Sequence, residues 1–274
     1  MTHIRTLARL ECLTVVRLKW VRLLTAAFAL LAAASAYSAG AATDLSGADG
    51  FGRTTMALIP VALVLIPLAA LVLGICGQSV EPGSESFLFT QPIGRVSVLV
   101  GRWLGEVVAL SGSIGIGFGV GGAIVAFGSG RADALSFAFF VFASIALGAI
   151  FLSIAAAIAC ATEKRVTAIG IGIFAWFVFV LLYDGAALSL AGWLTGSFGG
   201  RVLFVSVFGN PVDLIRVVML LVSGTPHVLG AAGESWMRLL GGSLQTAVLA
   251  GCALALWMAA PLAAAMRAIS VRDL

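Results

Sequence analysis

Six tracts of this chain are apolar for long enough to cross a lipid bilayer, and they leave almost no sequence for anything else. They cover about residues 21–42, 54–77, 96–127, 135–161, 166–190 and 243–266, each reaching the roughly 20 residues that carry a helix through hydrocarbon. Backbone in lipid must satisfy its own hydrogen bonds, which tracts of this length do as α-helices. Of 274 residues, 61% are hydrophobic and 10% charged, against about a quarter charged in soluble domains. The expectation is one all-α integral membrane domain over residues 1–274, with six transmembrane helices and no soluble domain.

The basic residues set an orientation. With both termini in the cytoplasm, Arg5, Arg9, Arg17, Lys19, Arg22, Arg95, Arg102, Lys164, Arg165, Arg267 and Arg272 lie inside, against Arg53, Arg131, Arg201, Arg216 and Arg238 outside. Eleven against five follows the positive-inside rule, so the net charge of +4 is a topology signal. The basic residues form no single patch, which argues against nucleic-acid binding. The implied location is a bacterial inner membrane, crossed several times.

Residues 1–20 do not read as a cleaved signal peptide, because charge interrupts them and no small-residue cleavage site follows an apolar core. Leu7, Leu10, Leu18 and Val21 share one helical face, and Arg5, Arg9 and Lys19 the other. That division predicts a helix lying in the headgroup layer.

Several chemistries are missing. Cys12, Cys76, Cys160 and Cys252 form no C-x-x-C and fall in or beside apolar tracts, so they read as small core residues rather than disulfide partners. His3 and His227 fall on opposite membrane faces, which excludes bis-histidine haem ligation. Neither Lys19 nor Lys164 follows glycine, so the phosphate-cradling G-x-x-x-x-G-K-[ST] loop is absent, as are H-E-x-x-H and G-x-S-x-G. The chain has no catalytic constellation of its own. Met219, His227 and Met237 are of a kind that suits copper, but methionine at helical spacing reads as core filler, so no metal ligands are assigned.

The third tract is rich in glycine. Gly101 and Gly105 form G-x-x-x-G, and Gly117 and Gly121 repeat the spacing. Small residues let membrane helices approach closely, which fits packing within the bundle or a face towards a second copy. Arg102 and Glu106 lie one helical turn apart and can pair at the inner end of the tract.

Between the second and third tracts, residues 80–95 form a cytoplasmic segment, VEPGSESFLFTQPIGR. Glu81, Pro82 and Gly83 open it, and Gln91, Pro92 and Arg95 close it. Between them Ser84 is an N-cap candidate, Glu85 suits a first turn, and Phe87, Leu88 and Phe89 supply an apolar cluster. Such a cluster facing cytosol is a docking element for another protein or dips into the lipid interface.

Between the fifth and sixth tracts, the outer residues 191–242 contain GNPVDLIRVVMLLVSGTP. Asn210 is a good N-cap, Pro211 suits the first helical position, and Asp213 in the first turn complements the helix dipole; Gly224 and Pro226 end the helix. A dozen residues make about 18 Å, roughly half the hydrocarbon core. The stretch is apolar on nearly every face except at Asp213 and Arg216. It predicts a re-entrant half-helix in the outer leaflet.

Together, the interfacial helix, the segment E-P-G-S-E-S-F-L-F-T-Q-P-I-G-R running into V-L-V-G-R-W-L-G-E, the six spans and the missing nucleotide loop resemble the ABC-2-type transporter permeases. G-F-G-V-G-G-A at 117–123, F-V-L-L-Y-D-G at 179–185 and G-N-P-V-D-L-I-R at 209–216 are similar to the NosY-like branch, permeases of the copper-processing ABC transporters that mature nitrous oxide reductase. The resemblance implies a homodimer bound to a separate ABC ATPase subunit that carries ATP and magnesium, with no cofactor on this chain. It implies coupling to that ATPase through residues 80–95. It further implies that Asn210, Pro211, Asp213 and Arg216 cap the path or seat a periplasmic assembly protein. Two other readings stay open: a drug, peptide or lipid exporter permease, and a non-transporting anchor of a periplasmic assembly complex.

Overall fold

A computed structural model of the chain describes residues 2–41, 50–79, 94–129, 134–193, 197–222 and 243–271. Every regular element among them is a helix: α1 (Thr2–Arg17), α2 (Lys19–Ala41), α3 (Gly50–Gln78), α4 (Arg95–Ser129), α5 (Ala134–Ala161), α6 (Arg165–Phe177), a π turn (Val178–Leu182), α7 (Tyr183–Trp193), α8 (Ser197–Phe208), α9 (Pro211–Val222) and α10 (Ser243–Val271). The π turn joins α6 to α7 without a break. Among the described residues six helical stretches are long and apolar enough to cross a membrane: Lys19–Ser38, Gly52–Gln78, Arg95–Ala126, Ala134–Ala161, Arg165–Leu190 and Val248–Val271. They coincide with the six apolar tracts to within a few residues.

α3 and α5 are the most deeply buried spans, and α6–α7 and α10 expose most of their surface. The centre is built from complementary sizes. Phe28 of α2, Phe118 of α4 and Phe140 of α5 stack with ring centroids 5.1 Å apart at each step. Gly117 and Gly121 let α2 approach α4 closely enough for this: an added Cβ would lie 2.5 Å from Phe28 Cβ at Gly117 and 2.7 Å from Ala32 Cβ at Gly121. Both glycines therefore pack α4 against α2 of the same chain. Gly101 is also buried.

α1 is docked along the N-terminal part of α4. A Cβ at Gly105 would lie 2.6 Å from Glu11 Cβ and 2.7 Å from the Ala8 carbonyl oxygen. Val15 is buried, while Leu10, Leu13 and Val16 are exposed. The face carrying Ala8, Glu11 and Cys12 meets the bundle, and with Leu7 half-buried, Val21 buried and Leu10 and Leu18 exposed, the apolar face expected from the sequence is divided between the bundle and the surface. The helix ends at Arg17, and α2 restarts at Lys19 with Arg22 N–H bonded to the Leu18 carbonyl at 3.2 Å.

α3 contains Pro60 and Pro67. Proline lacks the N–H that would bind the carbonyl four residues back, so each interrupts the ladder. Beside the second, Trp176 of α6 donates its indole N–H to the Val64 carbonyl at 3.0 Å.

Candidate functional site

The polar residues collect at two places. The larger lies where the π turn, α7, the α8–α9 turn and α10 meet. α8 ends at Phe208, with Gly209 N–H bonded to Ser206 O at 2.9 Å, and the C-terminal carbonyls of a helix need outside donors. Tyr183 supplies its hydroxyl to Ser206 O at 2.7 Å, and Trp257 of α10 its indole N–H to Phe208 O at 3.0 Å. A Cβ at Gly209 would overlap the Tyr183 hydroxyl, so glycine is the residue that admits the tyrosine.

Asn210 then opens α9. Its Oδ1 accepts from Val212 N–H at 3.0 Å, the N-cap bond expected from its position. Its amide donates to Asp213 Oδ2 at 2.9 Å and to the Phe179 carbonyl at 2.8 Å. The second bond answers a defect in the π turn. Tyr183 N–H reaches back to Val178 O, so the Phe179 carbonyl lacks the donor that an α-helix would give it four residues on. The Phe179 ring is held edge-on between Phe151, 6.1 Å away, and Trp257, 5.6 Å away.

Arg216 completes the network. It donates through Nη1 to Asp184 Oδ2 and stands 3.1 Å from Asp213 Oδ1. Asp213 is buried, and its Oδ1 receives no hydrogen bond of good geometry. Burial, reinforced by the neighbouring Asp184 and opposed by Arg216, pushes the Asp213 carboxyl up to about 7. Pro211, the first residue of α9, is buried at the turn.

The second place is at the other end of the bundle, between α1, α3 and α4. Glu106 is fully buried. One of its oxygens faces Gln78 Nε2 at 3.4 Å, and the other has no hydrogen-bond partner. Arg102 does not close the expected turn with Glu106; its Nε lies 4.0 Å from Glu11 Oε2. The reason is Gly105, which brings α1 and its Glu11 within reach. Burial raises the Glu11 carboxyl above its usual range, with Arg102 opposing. Gly77 makes room for the cluster, since a Cβ there would overlap Glu106 Oε1.

Asn210, Pro211, Asp213 and Arg216 are thus gathered, and they are buried or half-buried. Val212, Leu214, Ile215, Val217, Met219 and Leu220 are buried with them, so α9 packs into the bundle against α5 and α10. Tyr183 and Asp184 carry contacts that the sequence signalled only as part of F-V-L-L-Y-D-G; Trp257 stands in the sixth apolar tract with no local signal. Of the segment expected to meet an ATPase, Glu81, Pro82, Gly83, Ser84, Glu85, Phe87, Leu88, Phe89, Gln91 and Pro92 lie outside the described residues, while Arg95 is the first residue of α4. Met219 is a core residue; His227 and Met237 lie outside the described residues. No group of three or more His, Cys, Asp or Glu side chains among the described residues is arranged to hold a metal ion.

Residues 5–274 match the family model described as ABC-2 family transporter protein. The chain is 34% identical over 268 residues to the "Probable ABC transporter permease protein NosY" of Pseudomonas aeruginosa, covering 95% of both chains. It is 31% identical over 227 residues to the protein of the same name from Stutzerimonas stutzeri, covering 80% of this chain and 82% of the relative.

Proposed function

This chain belongs to the ABC-2 transporter family, and from that premise we propose that it couples a separate ABC ATPase to work across the inner membrane during copper-site maturation of nitrous oxide reductase. ATP and magnesium belong to the ATPase, and this chain carries no catalytic group. Two copies of the permease pair in the bilayer with two ATPases, and a periplasmic assembly protein receives the output.

Residues 80–95 join α3 to α4, so a push from the ATPase on Glu81, Phe87, Leu88 and Phe89 reaches both helices directly. α1 moves with α4, because Gly105 seats it there. The output lies where Asn210 and Arg216 tie α9 to the fifth span. The observation that carries this reading is that two stretches of the chain similar to NosY permeases, 179–185 and 209–216, meet in one buried polar network.

Two measurements test it. With its ATPase, the chain should restore copper to nitrous oxide reductase in a host lacking its own permease; a reductase that stays copper-free while resistance to drugs or peptides appears would favour an exporter instead. Replacing Phe87 and Leu88 with Asp should release the ATPase in pull-downs while the permease stays folded. Unchanged ATPase binding in that variant would refute coupling through residues 80–95.

A further inference from the structure

The fifth span differs from the other five in carrying a π turn, Val178–Leu182, between two α-helical halves. Such a turn fits one extra residue into a helix, and one residue is about 100° of helical rotation. The sequence VFVLL has no glycine or proline to force it. What holds it is tertiary: Asn210 supplies the amide donor to the Phe179 carbonyl that the turn leaves over. Two residues before the turn, Trp176 binds the Val64 carbonyl of α3, three residues ahead of Pro67, whose missing N–H weakens the ladder at that level.

The half beyond the turn is built to rotate at small cost in packing. Leu188, Leu190 and Trp193 are exposed, so a rotation exchanges one lipid-facing set of side chains for another. The contacts it would break are the packing of α7 on α8, the Tyr183 bond to Ser206 O, and the Asp184 pair with Arg216. These tie the rotating half to α8 and α9.

We propose that the π turn is a register switch: Trp176 and Asn210 are its positioning residues, and when α3 shifts, the turn closes to α-helix and rotates α7 against the α8–α9 pair. The switch rests on the function proposed above for its trigger, the ATPase acting through residues 80–95 on α3. It adds the route by which that motion crosses the membrane, from α3 through Trp176 to the turn and then to Asn210 and Arg216.

The test uses the full chain with its ATPase in lipid nanodiscs, free of the four native cysteines and spin-labelled at Leu188→Cys and Val205→Cys, both exposed. Trapping with ATP and orthovanadate should shift the label-to-label distance by about 5–10 Å, the scale of a 100° turn of a helix about 10 Å across. Deleting Leu181 removes the extra residue and leaves the flanking helices in register, so the shift should vanish. Trp176→Phe keeps an aromatic ring without the donor and should at least halve the shift, which keeps the proposal falsifiable if the deletion variant misfolds. A trapped ATPase with no distance change in the parent, or an undiminished shift in Trp176→Phe, would overturn the switch and leave the functional reading standing. An ATPase that does not co-purify would overturn both.

Discussion

Asn210 is the side chain on which most of the network around α9 converges, and its replacement separates two kinds of stabilisation. It is fully buried, caps α9 through Val212 N–H and donates to the Phe179 carbonyl. Asn210→Ala removes both, together with the amide's bond to Asp213 Oδ2. A lost N-cap costs about 0.5–2 kcal/mol, and an orphaned buried acceptor about 1–3 kcal/mol, so the variant should be destabilised by about 2–4 kcal/mol. The cap alone would give only the smaller figure. Asn210→Ser keeps a capping oxygen but cannot reach Phe179, and should fall between parent and alanine, about 1 kcal/mol above the latter. SDS-driven unfolding in mixed micelles, followed by tryptophan fluorescence, ranks the three. A serine variant as stable as the parent would refute the claim that the Phe179 bond stabilises the π turn. Equal losses for serine and alanine would remove the cap instead.

Two further results are expected. Gly121→Ala forces a Cβ against Ala32 of α2 and should destabilise by about 1–3 kcal/mol, the usual cost of overpacking; Gly112→Ala meets nothing within 4 Å in the same chain and should be neutral in the same unfolding assay, so equal effects would contradict the α2–α4 packing. The Asp213 carboxyl, raised to about 7 when folded against about 3.9 when unfolded, makes the folded state hold an extra proton between those values. Its contribution to stability is therefore full below the unfolded value and lost as pH rises through about 7. Asp213→Asn should flatten that fall between pH 4.5 and 8, and a variant with the parent's slope would show that another group titrates.

The spans and the half-helix were legible for different reasons. A span announces itself by length, and all six apolar tracts reappear as long helices. α9 announces itself by its ends: Asn210, Pro211 and Asp213 start it where the residue types require, while its apolar faces, which pointed to a half-helix in the outer leaflet, are covered largely by α5 and α10. What the chain could not show locally were partners distant in sequence. Arg102 and Glu106 sit at the spacing that pairs charges within one helix, yet Glu11 wins Arg102 because Gly105 admits α1. Arg216 finds Asp184 thirty-two residues away. The π turn has no residue signature, and the donor to its Phe179 carbonyl, Asn210, lies thirty-one residues on; Trp257 is one bulky side chain among alanines until Phe208 gives it an acceptor.

The network around α9 also explains how two carboxylates and one guanidinium share a partly buried site. A net charge in a low-dielectric interior is expensive, and a buried ionisable group sheds its charge when it can. Arg216 neutralises one carboxylate, and Asp184 receives its direct hydrogen bond. Asp213, more buried than Asp184 and already served by the Asn210 amide, is the one whose proton is retained towards neutral pH. Below about 7, Asp213 holds its proton while Asp184 and Arg216 offset one another, so α9 packs among Val212, Ile215 and Met219 with little net charge beside it.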